Sequence, residues 1–186
     1  IGIAALGGII GFLYASFQKP TYTATTTFVL EEDKGGGGGL GGAMGLASSF
    51  GFDLGGGGGG LFTSSNIIEL MKSRLVVEKT LLNPVLINGK EISLADYYIQ
   101  NNMPLVNISF PVNADRTKFS LEQDSILYGI SSGLTKTNLV ISQKDKKASI
   151  ISLTVKTESE LFSKLFCEQL LKETSDFYIE TKSKKS

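Results

Sequence analysis

SIISLTVKTESELFSKLFCEQLLKETSDFYIE, residues 149–180, changes its period part-way through, and that change decides the fold class. In a strand over residues 148–156, Ile151, Leu153 and Val155 alternate with Ser152, Thr154 and Lys156, as one buried face requires. From Glu158 the period is helical. Phe162, Leu165, Phe166, Leu170 and Phe177 form an apolar stripe. Glu160, Lys164, Glu168, Lys172, Asp176, Glu180 and Lys184 fall four apart and mostly alternate in sign. Each opposite pair adds about 0.2–0.5 kcal/mol to the helix. Thr157 and Glu160 have capping-box spacing. No cap or breaker precedes Ser186, so the helix is expected to continue beyond it. The basic residues 182–185 read as a solvated face.

Working back along the chain, residues 139–143 read as a strand joined to 148–156 by the charged turn 144–147. YTATTTFVLEE, residues 22–32, is a third strand. Tyr22, Ala24, Thr26, Phe28 and Leu30 share one face, and Thr23, Thr25, Thr27 and Val29 share the other. Each strand needs a partner and one buried face, so all three are expected in one small mixed sheet packed with helices. Between them, residues 66–82 read as one helix. Asn66 and Glu69 form its capping box, and Ile67, Ile68, Met71, Leu75 and Leu82 mark its apolar face. Lys72, Arg74 and Lys79 lie largely off that face, and Asn83-Pro84 ends the helix. Asn88-Gly89 marks a turn, Ser93 caps a short helix to about Asn101, and residues 106–110 suit a short strand. Ser120 and Gln123 form a further capping box, followed by Ile126, Ile130 and Leu134 at a spacing of four.

IGIAALGGIIGFLYASF, residues 1–17, carries no charge. At about 1.5 Å per residue it reaches about 25 Å, a little short of a hydrocarbon core of about 30 Å. The chain begins at Ile rather than Met, so this is read as a transmembrane helix whose first turn is missing. Gln18, Lys19 and Pro20 close the run, and Tyr14 stands where an interfacial aromatic belongs. A signal peptide would end in a small-x-small site, but Ala15-Ser16-Phe17 ends in a bulky residue. Gly2, Gly7, Gly8 and Gly11 would weaken a helix in water, whereas in lipid such residues let helices approach. Gly7 with Gly11, and Ala4 with Gly8, are small-xxx-small pairs: either a packing face for another membrane helix or glycine-tolerant filler.

The organisation expected is a transmembrane helix (1–17), an α+β extracytoplasmic domain (18–157) with a glycine-rich insert (34–61), and the start of a long projecting helix (158–186). In the insert, polyglycine runs 35–39 and 55–60 flank LGGAMGLASSFGFDL. It lacks the G-K-[ST] ending of a phosphate-cradling loop. It reads as a linker of roughly 28 Å r.m.s. span, or, given its apolar middle, as a short helix near 40–49 that docks on a neighbour or on lipid headgroups. On the final helix, Phe177 and Tyr178 are expected to outrun the domain and to supply contacts between protomers.

Composition excludes several function classes. Lys plus Arg and Asp plus Glu are both 18, so the basic surplus that nucleic acid usually demands is missing. One Cys and no His rule out a disulfide framework and a zinc site within one chain, and remove the commonest general base. Cys167 reads as a small core residue. No cofactor or catalytic constellation is expected.

In their order, the apolar segment running into KPTYTATTTFVLEED, the glycine-rich insert, SSNIIELMKSRLVVEKTLL (residues 64–82), and the strand pair entering the helix of residues 149–180 resemble the chain-length determinant family, the polysaccharide co-polymerases of bacterial envelopes. The resemblance implies a non-enzymatic domain on the periplasmic side of the inner membrane, held by two transmembrane helices and assembled into homo-oligomeric rings. It implies work alongside a membrane polysaccharide polymerase and its glycan, setting the length of O-antigen, capsule or exopolysaccharide chains. The second transmembrane helix and the proline-rich segment that usually precedes it are absent from these residues. A membrane-anchored structural adaptor of a secretion or efflux machine is the alternative.

Overall fold

The computed structural model describes residues 7–8, 10–13, 16–17, 19–29, 64–145 and 150–183. The glycine-rich insert and Ala4 lie outside them. Strand β1 (Tyr22–Val29) pairs along its length with β5 (Ile150–Thr157), which also pairs with β4 (Leu139–Asp145), giving the order β1-β5-β4. The three alternating segments therefore do share one sheet. Its pairings are all antiparallel, which corrects the expectation of a mixed sheet. The hairpin β4–β5 and the antiparallel approach of β1 leave no parallel pair, so no crossover helix is needed within the sheet.

The register explains which face is buried. Ala24, Thr26 and Phe28 of β1 stand opposite Val155, Leu153 and Ile151, and Ile141 of β4 stands opposite Leu153. Ile151, Leu153 and Val155 are fully buried. Helix α5 (Glu160–Ser183) returns across this face and buries Phe162, Phe166 and Leu170. Each such side chain contributes roughly 1.5–3 kcal/mol relative to exposure. The Phe162 and Phe166 rings stack at 5.6 Å, and Tyr98 meets Phe162 at 5.1 Å. On the opposite face Thr25 and Thr154 are cross-strand partners whose hydroxyls lie 3.2 Å apart.

Around this layer pack α1 (Ser64–Lys72), α2 (Arg74–Leu82), the hairpin β2–β3 (Pro84–Ile87 and Lys90–Ser93), α3 (Leu94–Asn102) and α4 (Leu121–Gly133). Asn88 and Gly89 both take positive φ, 51° and 76°, as a two-residue hairpin turn demands. Ser93 caps α3 by accepting from Asp96 N at 3.0 Å. Ser120 and Gln123 form the expected box, each side chain accepting the other's backbone N–H, at 3.1 and 3.0 Å.

Several local expectations are corrected. The single helix over 66–82 is two helices. It starts at Ser64 rather than at an Asn66 cap, and it breaks at Ser73, whose ψ is 144°. The break re-registers the apolar stripe, so α2 buries Val76, Val77 and Leu81 while Leu75 is 42% exposed. Residues 106–110 form no strand. Their end is tied instead to Asp96, which accepts from Phe110 N at 2.6 Å and Ser109 Oγ at 2.9 Å, and the alternation turns Val106, Ile108 and Phe110 toward the core, with Phe110 fully buried. Helix α5 is capped two residues later than the Thr157 box implied. Ser159 Oγ accepts from Phe162 N at 3.2 Å, while Thr157 Oγ1 steadies Ser159 N at the same distance.

Phe177 and Tyr178 do not outrun the domain. Both are half-buried and packed against its core. Glu173 and Thr174 just before them are buried, with Glu173 accepting from Lys79 at 2.7 Å and Asn83 at 2.8 Å. Helix α2 runs alongside α5 and prolongs the surface available to it, so the domain is longer than the sheet alone suggested.

Among the described residues no helix is long and apolar enough to cross a membrane. Residues 7, 8, 10–13 and 16 are helical. Ile10, Phe12, Leu13 and Phe17 are 50–83% exposed.

Candidate functional site

Two helical irregularities face each other across one groove. The first is the break between α1 and α2. Ser73 N donates to Leu70 O at 3.0 Å, closing α1, while Ser73 Oγ accepts from Val76 N at 3.4 Å, opening α2. The second lies where α4 widens into a π-helical turn, Leu134–Asn138. Here Thr135 Oγ1 donates to Ser131 O and Thr137 Oγ1 to Gly133 O, both at 2.8 Å. Such back-bonding competes with the regular ladder, and π turns recur at functional sites. Lys72, Arg74, Tyr128, Ser131, Ser132, Thr135 and Lys136 line the groove, which holds about 180 Å³.

Behind its lining residues Arg74 and Ser131 lies a buried carboxylate. Glu78, with no exposed side-chain surface, accepts from Arg74 Nε at 2.6 Å and from Ser131 Oγ at 3.5 Å, and its second oxygen faces the Arg116 guanidinium. Arg116 rides on a 3₁₀ turn (Arg116–Lys118) capped by Asp115, which accepts from Thr117 Oγ1 at 2.7 Å and Thr117 N at 3.0 Å. Those two hydrogen bonds hold the Asp115 carboxyl below the usual range. Arg74 also lies over the Tyr128 ring, 4.8 Å from its centroid. Glu78 thus orients Arg74 and shares its one negative charge between Arg74 and Arg116. Among the described residues, Lys72 and Lys136 pair with no carboxylate. The groove therefore presents two uncompensated ammonium groups, the hydroxyl of Ser132, and a half-exposed tyrosine. That set suits an anionic oxygen group bound through charge-assisted hydrogen bonds. It offers neither a nucleophile backed by a base nor, among the described residues, a metal-ligating cluster.

The sheet register locates the groove. Tyr22 pairs with Thr157 and Leu139 with Val155, so both strand beginnings lie at one end of the sheet. The π turn ends at Asn138, whose amide donates to Lys156 O at 2.6 Å. Lys19 meets Glu158 at 2.7 Å at the same end. The π-turn wall of the groove thus stands where the chain from residues 7–20 enters β1.

The residues singled out from sequence fall elsewhere. Gly7, Gly8 and Gly11 are exposed, and a Cβ built on any of them would meet nothing within 4 Å. Phe177 and Tyr178 sit far along α5. Sequence reasoning missed Glu78 and Lys136, and set Lys72 and Arg74 aside as surface charge. One signal was available: Arg74 and Glu78 stand four apart inside a helical pattern, where a carboxylate among apolar neighbours needs a partner. Cys167 is buried, as its sequence setting implied, and burial pushes its thiol pKa up.

No curated protein and no solved structure matches the chain. Residues 1–83 match the family model described as "Wzz: Chain length determinant protein". The match takes in the apolar segment, β1, the insert and both helices of the broken pair; residues 84–186 lie outside it. Over residues 1–83, a little under half of its length, the chain is similar to the chain length determinant protein family.

Proposed function

We infer that the protein is a non-enzymatic regulator of polysaccharide chain length, anchored in the bacterial inner membrane with its main domain on the periplasmic side. The family match over residues 1–83 carries this reading. The fold supports carrying it beyond the match: among the described residues, β1 of the matched part pairs with β5 of the unmatched part, in one sheet with one core. The exposed Ile10, Phe12, Leu13 and Phe17 on the entering helix support a membrane anchor, since water gives such a face no partner. In this reading Ala4, Gly7, Gly8 and Gly11 pack against another membrane helix. The exposed part of α5 around Phe177 and Tyr178 meets a neighbouring protomer in a homo-oligomeric ring, and the ring acts beside a membrane polymerase and its glycan.

Deleting the gene and resolving the polysaccharide on a gel tests this. The expected result is loss of a preferred chain length with polymer still made. An unchanged length distribution, or complete loss of polymer, would overturn it.

A further inference from the structure

We propose that the groove between the α1–α2 break and the π turn seats the phosphate of an anionic phospholipid headgroup. It would thereby fix the domain's orientation on the bilayer. The inference rests on the membrane-anchor reading above and adds a second, polar attachment to it.

Three observations converge. The groove's chemistry is that of a phosphate site: Lys72 and Lys136 have no carboxylate partner among the described residues, and Ser132 supplies a hydroxyl between them. The third cation, Arg74, is held in place from beneath by the buried Glu78, so it forms a fixed wall instead of a mobile surface charge. Finally, the groove's π-turn wall lies at the sheet end where the exposed apolar helix joins β1, which is where headgroups would be if that helix enters lipid. Lys156, exposed at the same end, adds to the positive field. Tyr128, half-exposed on the rim, is of the type that settles at a membrane–water interface, and lysine stems reach such an interface while keeping their charge wet. An acidic polysaccharide would satisfy the cations equally well. The position of the groove favours the lipid.

The test reconstitutes the full chain into vesicles of phosphatidylcholine alone and of phosphatidylcholine with phosphatidylglycerol, and measures acetylation rates of individual lysines by mass spectrometry. A basic side chain at an anionic surface gains roughly a five-fold preference, so Lys72 and Lys136 should be acetylated roughly five-fold more slowly on the anionic vesicles. Lys118 and Lys172 should react equally on both, and raised salt should remove the protection. Equal rates at Lys72 and Lys136 on both vesicle types would overturn the headgroup site while leaving the anchor intact. Failure of the chain to co-float with either vesicle would instead overturn the anchor reading, and this inference with it. Protection by soluble polygalacturonate or inorganic phosphate on neutral vesicles, without protection by phosphatidylglycerol, would refute the lipid and assign the groove to a soluble anion.

Discussion

Removing the two arginines that face Glu78 should damage the fold far more than removing Glu78 itself. The asymmetry comes from burial. The Glu78 side chain is 0% exposed, whereas those of Arg74 and Arg116 are 52% and 36% exposed. In Glu78→Met both guanidiniums can turn to water, and a flexible apolar chain of similar length fills the space. Replacing a buried ion network by apolar groups is often close to neutral, so the expected change is within about 1 kcal/mol. In Arg74→Ala/Arg116→Ala the carboxylate stays inside with only Ser131 Oγ, at 3.5 Å, to answer it. An uncompensated buried charge costs about 3–5 kcal/mol. For a chain of this size each kcal/mol moves the melting point by about 2–4 °C, so the double variant should melt about 6–20 °C lower. Thermal unfolding followed by circular dichroism, with urea titration to give the free energies, reads both. The reasoning fails if Glu78→Met costs as much as the double variant. In that case attraction within the network, and not the liability of a buried anion, is what matters there.

Three further outcomes are expected. Gly7→Leu/Gly11→Leu should lower crosslinked oligomer yield in membranes with the outer domain still folded, because bulky side chains hold helix backbones apart; an unchanged yield would make the glycines permissive filler. Phe177→Asp should cost about 1–2 kcal/mol of domain stability, since the ring is half-buried on the core, and should also lower oligomer mass by light scattering; an unchanged mass would confine Phe177 to the domain interior. Tyr98 has its pKa raised, first by burial and then by the Glu158 charge. Its contribution is complete below the unfolded value of about 10 and is lost as pH rises through the higher folded value. Tyr98→Phe should therefore melt with a shallower loss above pH 10, and parallel alkaline limbs for the two proteins would contradict this.

The local rules legible in the sequence are those in which neighbours along the chain do the work. Ser93, Ser120 and the Asn88-Gly89 turn act where expected because capping and positive φ are settled within a few residues. The alternation of Ile151, Leu153 and Val155 and the helical stripe of Phe162, Phe166 and Leu170 were equally plain, since each reports one buried face. Even the union of β1 with the C-terminal hairpin could be read, because three half-buried strands in a small domain have few ways to hide their apolar faces.

What needed tertiary structure was every outcome set by competition between distant groups. Ser73 breaks a helix whose periodicity reads straight through it, because two short helices bury both Met71 and Leu81 where one straight helix would bury Leu75. Residues 106–110 alternate like a strand, yet Ser109 and Phe110 donate to Asp96, 13 and 14 residues back, and Val106 N donates to Met103 O. Phe177 stays on the domain because α2 lengthens the surface beside α5. The groove follows the same logic. Lys72, Arg74 and Lys136 are ordinary surface cations in the sequence. Only the fold brings the three together, and only the buried Glu78 decides that Arg74 has a carboxylate partner while Lys72 and Lys136 have none among the described residues. Charge compensation depends on distances across the chain, and composition and periodicity do not contain those distances.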